Sequence, residues 1–181
     1  MISDIPCVIL CGGSSKRMGE DKASLPFLGF ETLLSFQINK LSKIFKYIYV
    51  STKYSNHNTK GTTIILDDDN TSSPLVAINT LCSYFSKKNE KLFFTIPVDT
   101  PFVYLKTINK LIKNNKNSIA NEHYLVGVFE TNIQKDIKQM LDKNRHKIEQ
   151  LHKIISTKVV VFQDEEQFAN INTREQYAKF E

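Results

Sequence analysis

The stretch that decides the fold is VILCGGSSKRMGEDK, residues 8–22. Its apolar half belongs to a run over residues 5–11, which is typical of a strand buried on both faces. Gly12 and Gly13 end that run. Glycines let backbone N–H groups approach a phosphate without a Cβ in the way. The pattern therefore predicts a buried strand that stops at a phosphate-binding loop.

Two cations, Arg17 and Lys22, lie in the same loop on either side of Gly19. A guanidinium fork and a mobile ammonium together suit a triphosphate whose leaving pyrophosphate gains charge. The loop is neither a P-loop nor a dinucleotide fingerprint, because neither glycine spacing occurs in it. A glycine-rich turn with solvated charges is the alternative that stays open.

The composition is that of a soluble globular chain. It has 181 residues, of which 41% are hydrophobic, 10% aromatic and 24% charged, and this length suits one domain over residues 1–181. No apolar run approaches the roughly 20 residues of a membrane helix. The start, MISDIPCVIL, has neither the basic region nor the cleavage site of a signal peptide. We therefore expect a cytoplasmic protein without membrane contact.

The formal net charge of +5 suits an anionic ligand or a nucleic acid. The lysine-rich segments KKNEK and KNNKN we interpret as solvated helix ends. Aromatic residues do not interleave with a basic stripe, so we expect no nucleic-acid partner.

Cysteine and histidine patterns give no metal motif. Cys7, Cys11 and Cys82 contain no CxxC pair, and we expect reduced thiols, the first two packed in or beside the core. The histidines lack metal-ligand spacing, so we expect surface or hydrogen-bonded histidines rather than zinc ligands; they are His57, His123, His146 and His152.

Strand and helix patterns alternate along the chain, which predicts an α/β domain with a mostly parallel sheet. The predicted strands cover residues 5–11, 47–50, 62–66, 91–96, 124–130 and 158–163. The predicted helices lie within residues 31–45, 73–85, 104–114, 132–143, 146–155 and 173–180, the last with Thr173 as its N-cap.

Three polar clusters follow predicted strands, at residues 12–22, 67–73 and 97–102. Ligands bind past the carboxyl ends of the strands in such sheets. Because the clusters carry the charges that a metal–triphosphate needs, they predict one nucleotide site at that edge.

Asp99 lies in the third cluster between Pro97 and Pro101. The prolines stiffen the turn, and a rigid carboxylate there suits Mg²⁺, which takes few protein ligands together with phosphate oxygens. The alternative is that Asp99 caps the helix that begins near Tyr104.

The second cluster opens with Asp67, Asp68 and Asp69. One carboxylate could accept hydrogen bonds from a ribose or a base, and guanine offers N1–H and N2–H₂ donors where cytosine offers only its N4 amine. The alternative for the triplet is a solvated loop.

Taken together, the motifs resemble a known family. LCGGSSKRMGEDK resembles the L-x-G-G-x-x-x-R-M-G-x-D-K signature of nucleotidyltransferases, and with three later motifs it resembles the molybdenum cofactor guanylyltransferases, the MobA family. The later motifs are SPLVAI (73–78), PVDTPF (97–102) and NINT (170–173). The implied fold is a three-layer α/β/α sandwich with a Rossmann-like, mostly parallel sheet of the nucleotide-diphospho-sugar transferase type.

The resemblance also implies roles for individual residues. Lys22 and Arg17 match the phosphate-contacting cations, and Asp99 matches the Mg²⁺ ligand. Asp68, with Asp69 close behind, is the chosen acid of the nucleotide site. The loop backbone that contacts the nucleotide corresponds to Leu10, Cys11, Gly12 and Gly13, and the loop near the pterin corresponds to Asn170 and Asn172.

The implied activity is transfer of GMP from Mg²⁺–GTP to the terminal phosphate of molybdopterin or its molybdenum-loaded form, with release of pyrophosphate. Molybdoenzyme-maturation proteins are further partners that the resemblance allows. The alternatives are a cytidylyltransferase of the same superfamily and a non-catalytic carrier subunit for nucleotide or cofactor.

Three positions depart from the family pattern. Cys11 replaces an alanine, Ser73 replaces the first glycine of G-P-L-x-G, and Ala77 replaces the last. At the second and third positions, a side chain leaves less room than glycine for the close approach of a phosphate or pterin.

Overall fold

A seven-stranded sheet forms the centre of the protein. The computed structural model describes residues 2–12, 21–53, 59, 61–67 and 73–180, except for the side chain of Arg174. The strands are β1 (Cys7–Leu10), β2 (Ile48–Thr52), β3 (Thr63–Leu66), β4 (Leu92–Pro97), β5 (Ser118–Ala120), β6 (His123–Glu130) and β7 (Lys158–Val160).

The strand order is β3-β2-β1-β4-β6-β5-β7. The first four strands in this order are parallel, and β6 is antiparallel to both β4 and β5. Strand β7 returns to the parallel direction beside β5. The predicted mostly parallel sheet is therefore confirmed.

Helices connect the strands, and their ends follow ordinary capping chemistry. Thr32 and Ser35 form a reciprocal capping box at the start of α1, and Ser73 caps α2 with Pro74 in its first turn. The helices are α1 (Leu33–Leu41), α2 (Pro74–Ser86), α3 (Leu105–Ile112), α4 (Gln134–Asp142), α5 (Ile148–Ile154) and α6 (Arg174–Tyr177). Within the described ranges, no helix has the length and apolar character needed to cross a membrane.

Apolar side chains cover both faces of the sheet, because neighbouring strand residues point to opposite sides. On one face, Ile9 and Phe94 pack in a cluster with α1 and α3. On the other face, Val8 and Phe93 pack in a cluster with α2, α4 and α5. This is the three-layer α/β/α arrangement that the resemblance implied.

The strand pattern missed two features of the sheet. Residues 118–120 form β5, although three residues are too few to show an alternating pattern. The reversed direction of β6 was also not predicted, because apolar periodicity carries no information on strand direction. Strand β7 is shorter than predicted and ends at Val160.

Asparagines end three of the helices in a left-handed conformation. Asn89, Asn115 and Asn144 have φ values of 60°, 53° and 54° and follow α2, α3 and α4. Asparagine tolerates this region and often follows a helix. The interpretation of KKNEK and KNNKN as helix ends is confirmed.

His152 of α5 is buried against β6 and has both ring nitrogens bonded. Nε2 lies 2.8 Å from the Tyr124 carbonyl oxygen and Nδ1 lies 2.9 Å from the Thr157 hydroxyl. Burial lowers the pKa of His152. The prediction of a hydrogen-bonded histidine is confirmed at this position.

Gly127 allows β5 and β6 to pack closely. A Cβ built at Gly127 would lie 2.2 Å from the Ser118 carbonyl oxygen. We expect Gly127→Ala to lower the free energy of unfolding by about 1–3 kcal/mol, because the clash is with backbone that must shift. Urea denaturation measures this, with Thr63→Ala on the exposed side of β3 as control. Equal stability of the two variants would contradict the close packing.

Candidate functional site

The carboxyl ends of β1, β2, β3 and β4 meet at one edge of the sheet. The Leu10 carbonyl accepts from the Val98 N–H at 3.0 Å, and the Cys11 N–H donates to the Ser51 carbonyl at 2.8 Å. The Asp67 N–H donates to the Thr52 carbonyl at 3.0 Å. These bonds place Asp67 and Val98, from the second and third polar clusters, close to Leu10 and Cys11, which lead into the first.

A cavity of about 460 Å³ opens at this edge. That volume lies in the range of small-ligand sites. Its lining residues come from the strand ends, the polar clusters, the first turns of α2 and the segment before α6, and they are Leu10, Cys11, Gly12, Asp21, Lys22, Ser51, Lys53, Asp67, Ser73, Pro74, Ala77, Pro97, Val98, Asp99, Leu125, Asn170 and Asn172.

Lys22 is positioned by a short 3-10 turn over Lys22–Ser24. The Asp21 carboxylate caps this turn by accepting from the Ala23 N–H at 3.2 Å and from the Ser24 hydroxyl at 3.0 Å. Ala23 is buried beneath the turn. Asp21 therefore fixes the backbone from which the Lys22 side chain extends into the cavity.

The Lys22 ammonium lies between two partners inside the cavity. Its Nζ is 2.6 Å from Asn172 Oδ1 and 3.3 Å from Asp99 Oδ2. The side chains of Lys22 and Asp99 are 15% and 24% exposed, so the pair is partly shielded but open to a ligand. Lys22 thus contacts Asp99, 77 positions further along the chain, and Asn172, 150 positions further along.

Asn170 and Asn172 flank a buried anchor, Ile171. The Ile171 N–H donates to the Asp99 carbonyl at 2.9 Å, which ties this segment to the turn after β4. The Asn172 N–H donates to Gln176 Oε1 at 2.7 Å. The predicted N-cap is confirmed, because the Gln176 N–H donates to the Thr173 hydroxyl at 3.2 Å.

Asp67 and Gly12 lie next to each other in the lining of the cavity. A Cβ at position 12 would lie 3.3 Å from Asp67 Oδ2, a close contact that glycine avoids. The Ser51 hydroxyl donates to Asp67 Oδ1 at 2.9 Å and orients the carboxylate. Asp67 is thus held in place at the cavity.

Cys11 lies among carboxylates at the floor of the cavity. Burial, together with the negative charges of Asp21, Asp99 and Asp67, raises the pKa of its thiol well above the ordinary value. The thiol is therefore protonated and unreactive at neutral pH. Cys7 and Cys82 are fully buried in the core, whereas Cys11 combines core packing with a place in the cavity wall.

The N-terminus of α2 forms another part of the wall. Ser73 has φ −123° and ψ 128°, so its backbone does not need glycine, and its hydroxyl accepts from the Leu75 N–H at 3.3 Å. Ala77 lies one turn further along and also lines the cavity. A helix N-terminus carries partial positive charge, which favours an anionic ligand here.

The donor set suits a cation that brings most of its own ligands. Among the residues that the structure describes, no group of three or more His, Cys, Asp and Glu side chains could enclose a metal. Asp21, Asp67 and Asp99 line the cavity, and Asp21 and Asp67 are bonded to the Ala23 N–H and the Ser51 hydroxyl, while Asp99 lies beside Lys22. Mg²⁺ is bound in this way when phosphate oxygens and waters fill its remaining positions.

The predicted site residues fall into two groups. The structure brings together Lys22 and Asp99 with five other candidates that line the same cavity, namely Leu10, Cys11, Gly12, Asn170 and Asn172. Gly13, Arg17, Asp68 and Asp69 lie outside the described residues. Asp99 does not cap the helix near Tyr104, because Tyr104 itself holds the N-cap position of α3.

Sequence reasoning missed the roles of Asp21, Ser51 and Asp67. Asp21 has a local signal, since an aspartate before a short helical turn is a common N-cap. Ser51 has none, because its partner Asp67 lies 16 residues away, just after the neighbouring strand β3. Asp67 was recognised as part of the acidic triplet but was not chosen from it.

Comparison with known proteins gives a family match. Residues 7–158 match the MobA-like NTP transferase domain. The chain is similar to a molybdenum cofactor guanylyltransferase of Campylobacter jejuni, with 39% identity over 99% of this chain and 96% of the relative. It is also similar to one of Helicobacter pylori, with 31% identity over 98% and 92% of the two chains.

A solved structure has the same fold. The crystal structure of molybdopterin-guanine dinucleotide biosynthesis protein A from Archaeoglobus fulgidus superposes with a TM-score of 0.75 and 18% identity. The match covers 97% of this chain and 96% of that one. At this identity the likeness concerns the fold alone.

Proposed function

The chain belongs to the MobA-like NTP transferase family, and we propose that it transfers GMP from GTP to the terminal phosphate of molybdopterin or of its molybdenum-loaded form. The observation that carries this proposal is the meeting of Lys22, Asp99 and Asn172 in one cavity at the strand ends. The similarity to guanylyltransferases over nearly the whole chain supports the choice of guanine.

The reaction forms one bond and breaks one bond at the α-phosphorus of GTP. An oxygen of the acceptor phosphate attacks the α-phosphorus, and the bond from the α-phosphorus to the bridging oxygen of the β-phosphate breaks. Pyrophosphate leaves with the electron pair. Because the attacking oxygen is already anionic, the step needs no strong general base. Catalysis is then positioning and charge neutralisation.

Lys22 is the group that neutralises the charge moving onto pyrophosphate. Lys22 belongs to the turn that Asp21 caps. Its ammonium already lies inside the cavity, where it donates to Asn172 Oδ1 at 2.6 Å. A donor that is in place before the reaction contributes more than one that must be ordered during it. Arg17 is proposed to act on the same phosphates from the preceding loop.

Asp99 is proposed as the protein ligand of Mg²⁺. The metal, when bound, would neutralise phosphate charge and orient the triphosphate. Asp99 fits this role because its carboxylate is partly exposed at the cavity and its turn is anchored by the Ile171 N–H.

Asp67 is proposed to accept hydrogen bonds from the guanine or the ribose. It lines the cavity, and the Ser51 hydroxyl fixes one carboxylate oxygen at 2.9 Å while the other faces Gly12. Asp68, chosen from the sequence, stays a candidate for the same role.

Nucleotide choice is tested by thermal shift with Mg²⁺ and each of GTP, CTP, ATP and UTP. We expect GTP alone to raise the apparent melting temperature, because a ligand that binds the folded state stabilises it by mass action. The shift should be lost in Asp99→Ala. Stabilisation by CTP instead would make the protein a cytidylyltransferase, and no shift with any nucleotide would argue against a nucleotide site.

The role of Lys22 is tested by Lys22→Met with the full acceptor present. We expect kcat to fall about a hundredfold or more, because a preorganised donor to the developing charge is removed. Pyrophosphate release measures this, and Lys46→Met, which removes an exposed lysine paired with Asp4, is the control. A near-normal rate in Lys22→Met would remove Lys22 from the mechanism. Wild-type protein that binds GTP but releases no pyrophosphate would instead be a carrier subunit.

A further inference from the structure

Two side chains of α1 reach the backbone of the turn that carries Asp99. Gln37 Nε2 lies 3.3 Å from the Thr100 carbonyl oxygen, 3.4 Å from that of Val98 and 3.5 Å from that of Pro97. Three carbonyl oxygens therefore converge on a single amide group. The two N–H bonds of that amide are shared among the three acceptors.

The burial of Gln37 indicates that its amide is there to donate hydrogen bonds and not only to fill space. Its side chain is fully buried, and within the described part of the chain its Oε1 accepts no hydrogen bond. An unpaired buried oxygen is unfavourable, so an apolar residue would serve packing alone better. The amide cannot rotate to exchange its two ends, because its oxygen would then face three carbonyl oxygens.

Lys40, one turn further along α1, supplies the next contact. Its Nζ lies 2.6 Å from the Pro101 carbonyl oxygen. Burial lowers the pKa of Lys40 to about 8, which reflects the unfavourable placement of a cation away from water. Gln37 is thus fully buried and Lys40 partly buried, and both donors contact the same turn.

Every carbonyl from residue 97 to residue 101 then has a donor. The Ile171 N–H donates to the Asp99 carbonyl at 2.9 Å. The Pro97 carbonyl also accepts from the Thr100 hydroxyl at 2.8 Å and from the Thr100 N–H at 3.3 Å. With the backbone held throughout, the Asp99 carboxylate is the part of the turn left to interact with Lys22 and the cavity.

We infer that Gln37 and Lys40 are positioning residues, which hold the turn over residues 97–101 so that Asp99 presents its carboxylate to the metal–nucleotide complex. This inference rests on the proposed function for the identity of the ligand. Neither residue lines the cavity, so both act through the backbone that they hold. Removing Gln37 would take away the donor to the Val98 and Thr100 carbonyl oxygens, and the loss of these bonds would loosen the turn.

The first test is Gln37→Met, which keeps the length of the side chain and removes its N–H donors. Mn²⁺ binding is followed by electron paramagnetic resonance in the presence of the non-reacting analogue α,β-methylene-GTP. We expect Mn²⁺ affinity to fall about tenfold, the size of effect that partners of metal ligands have. Asn39→Met, on the exposed side of the same helix, should leave it unchanged.

The second test uses Lys40 and a conservative rescue. Lys40→Met should also weaken Mn²⁺ binding, whereas Lys40→Arg keeps a cationic donor and should restore most of it. Lys43→Met, at an exposed position near the end of α1, is the matched control. This pair keeps the inference testable if Gln37→Met does not fold.

The outcomes separate the inference from the proposed function. Weaker Mn²⁺ binding in Gln37→Met and Lys40→Met, with a reduced kcat and an unchanged KM for the acceptor, supports positioning. Unchanged Mn²⁺ affinity in folded variants overturns it, even if their unfolding free energy is lower. If wild type forms no guanine dinucleotide but the variants still bind Mn²⁺ more weakly, positioning stands and the proposed function fails.

Discussion

The candidate site depends on the turn after β4, which must present one carboxylate to the cavity and hydrogen-bond its own buried carbonyls elsewhere. Its carboxylate must reach the cavity, while five consecutive carbonyls, from Pro97 to Pro101, must find donors. Helix α1, the Ile171 N–H and the turn's own Thr100 supply them. Because buried carbonyls without donors are costly, the position of Asp99 is set by packing between α1, β4 and the C-terminal segment.

The same edge joins parts of the chain that are far apart in sequence. Lys22 comes from a capped turn after β1, Asp67 from the end of β3 and Asn172 from the segment before α6. Parallel neighbours place their carboxyl ends side by side, so the order β3-β2-β1-β4 brings the segments after β1, β3 and β4 to one edge. The bond from the Ile171 N–H to the Asp99 carbonyl adds the segment that carries Asn172. The burial of both sheet faces by helices holds that order in place.

Much of this arrangement could be predicted from the sequence, and the failures have physical causes. Apolar runs indicated β1 and β4, and the polar residues after them indicated the cavity. Strand β5 is too short to show a pattern, and the direction of β6 leaves no trace in periodicity. Gln37 gave no signal, since its role comes from carbonyls about 60 residues away that local sequence does not reveal. The acidic triplet indicated this part of the site, whereas the placement of Asp67 beside Ser51 and Gly12 depends on contacts that local sequence does not reveal.

The central claim is that Asp99, held by its turn, is the metal ligand of a guanine-nucleotide site. Anomalous diffraction from crystals grown with Mn²⁺ and α,β-methylene-GTP tests it most directly. The account predicts an anomalous peak at about 2.0–2.3 Å from an Asp99 oxygen and from phosphate oxygens. Gln37 and Lys40 should still contact the turn. A peak bound to the nucleotide but not to Asp99, or a nucleotide seated outside the cavity, would contradict the account.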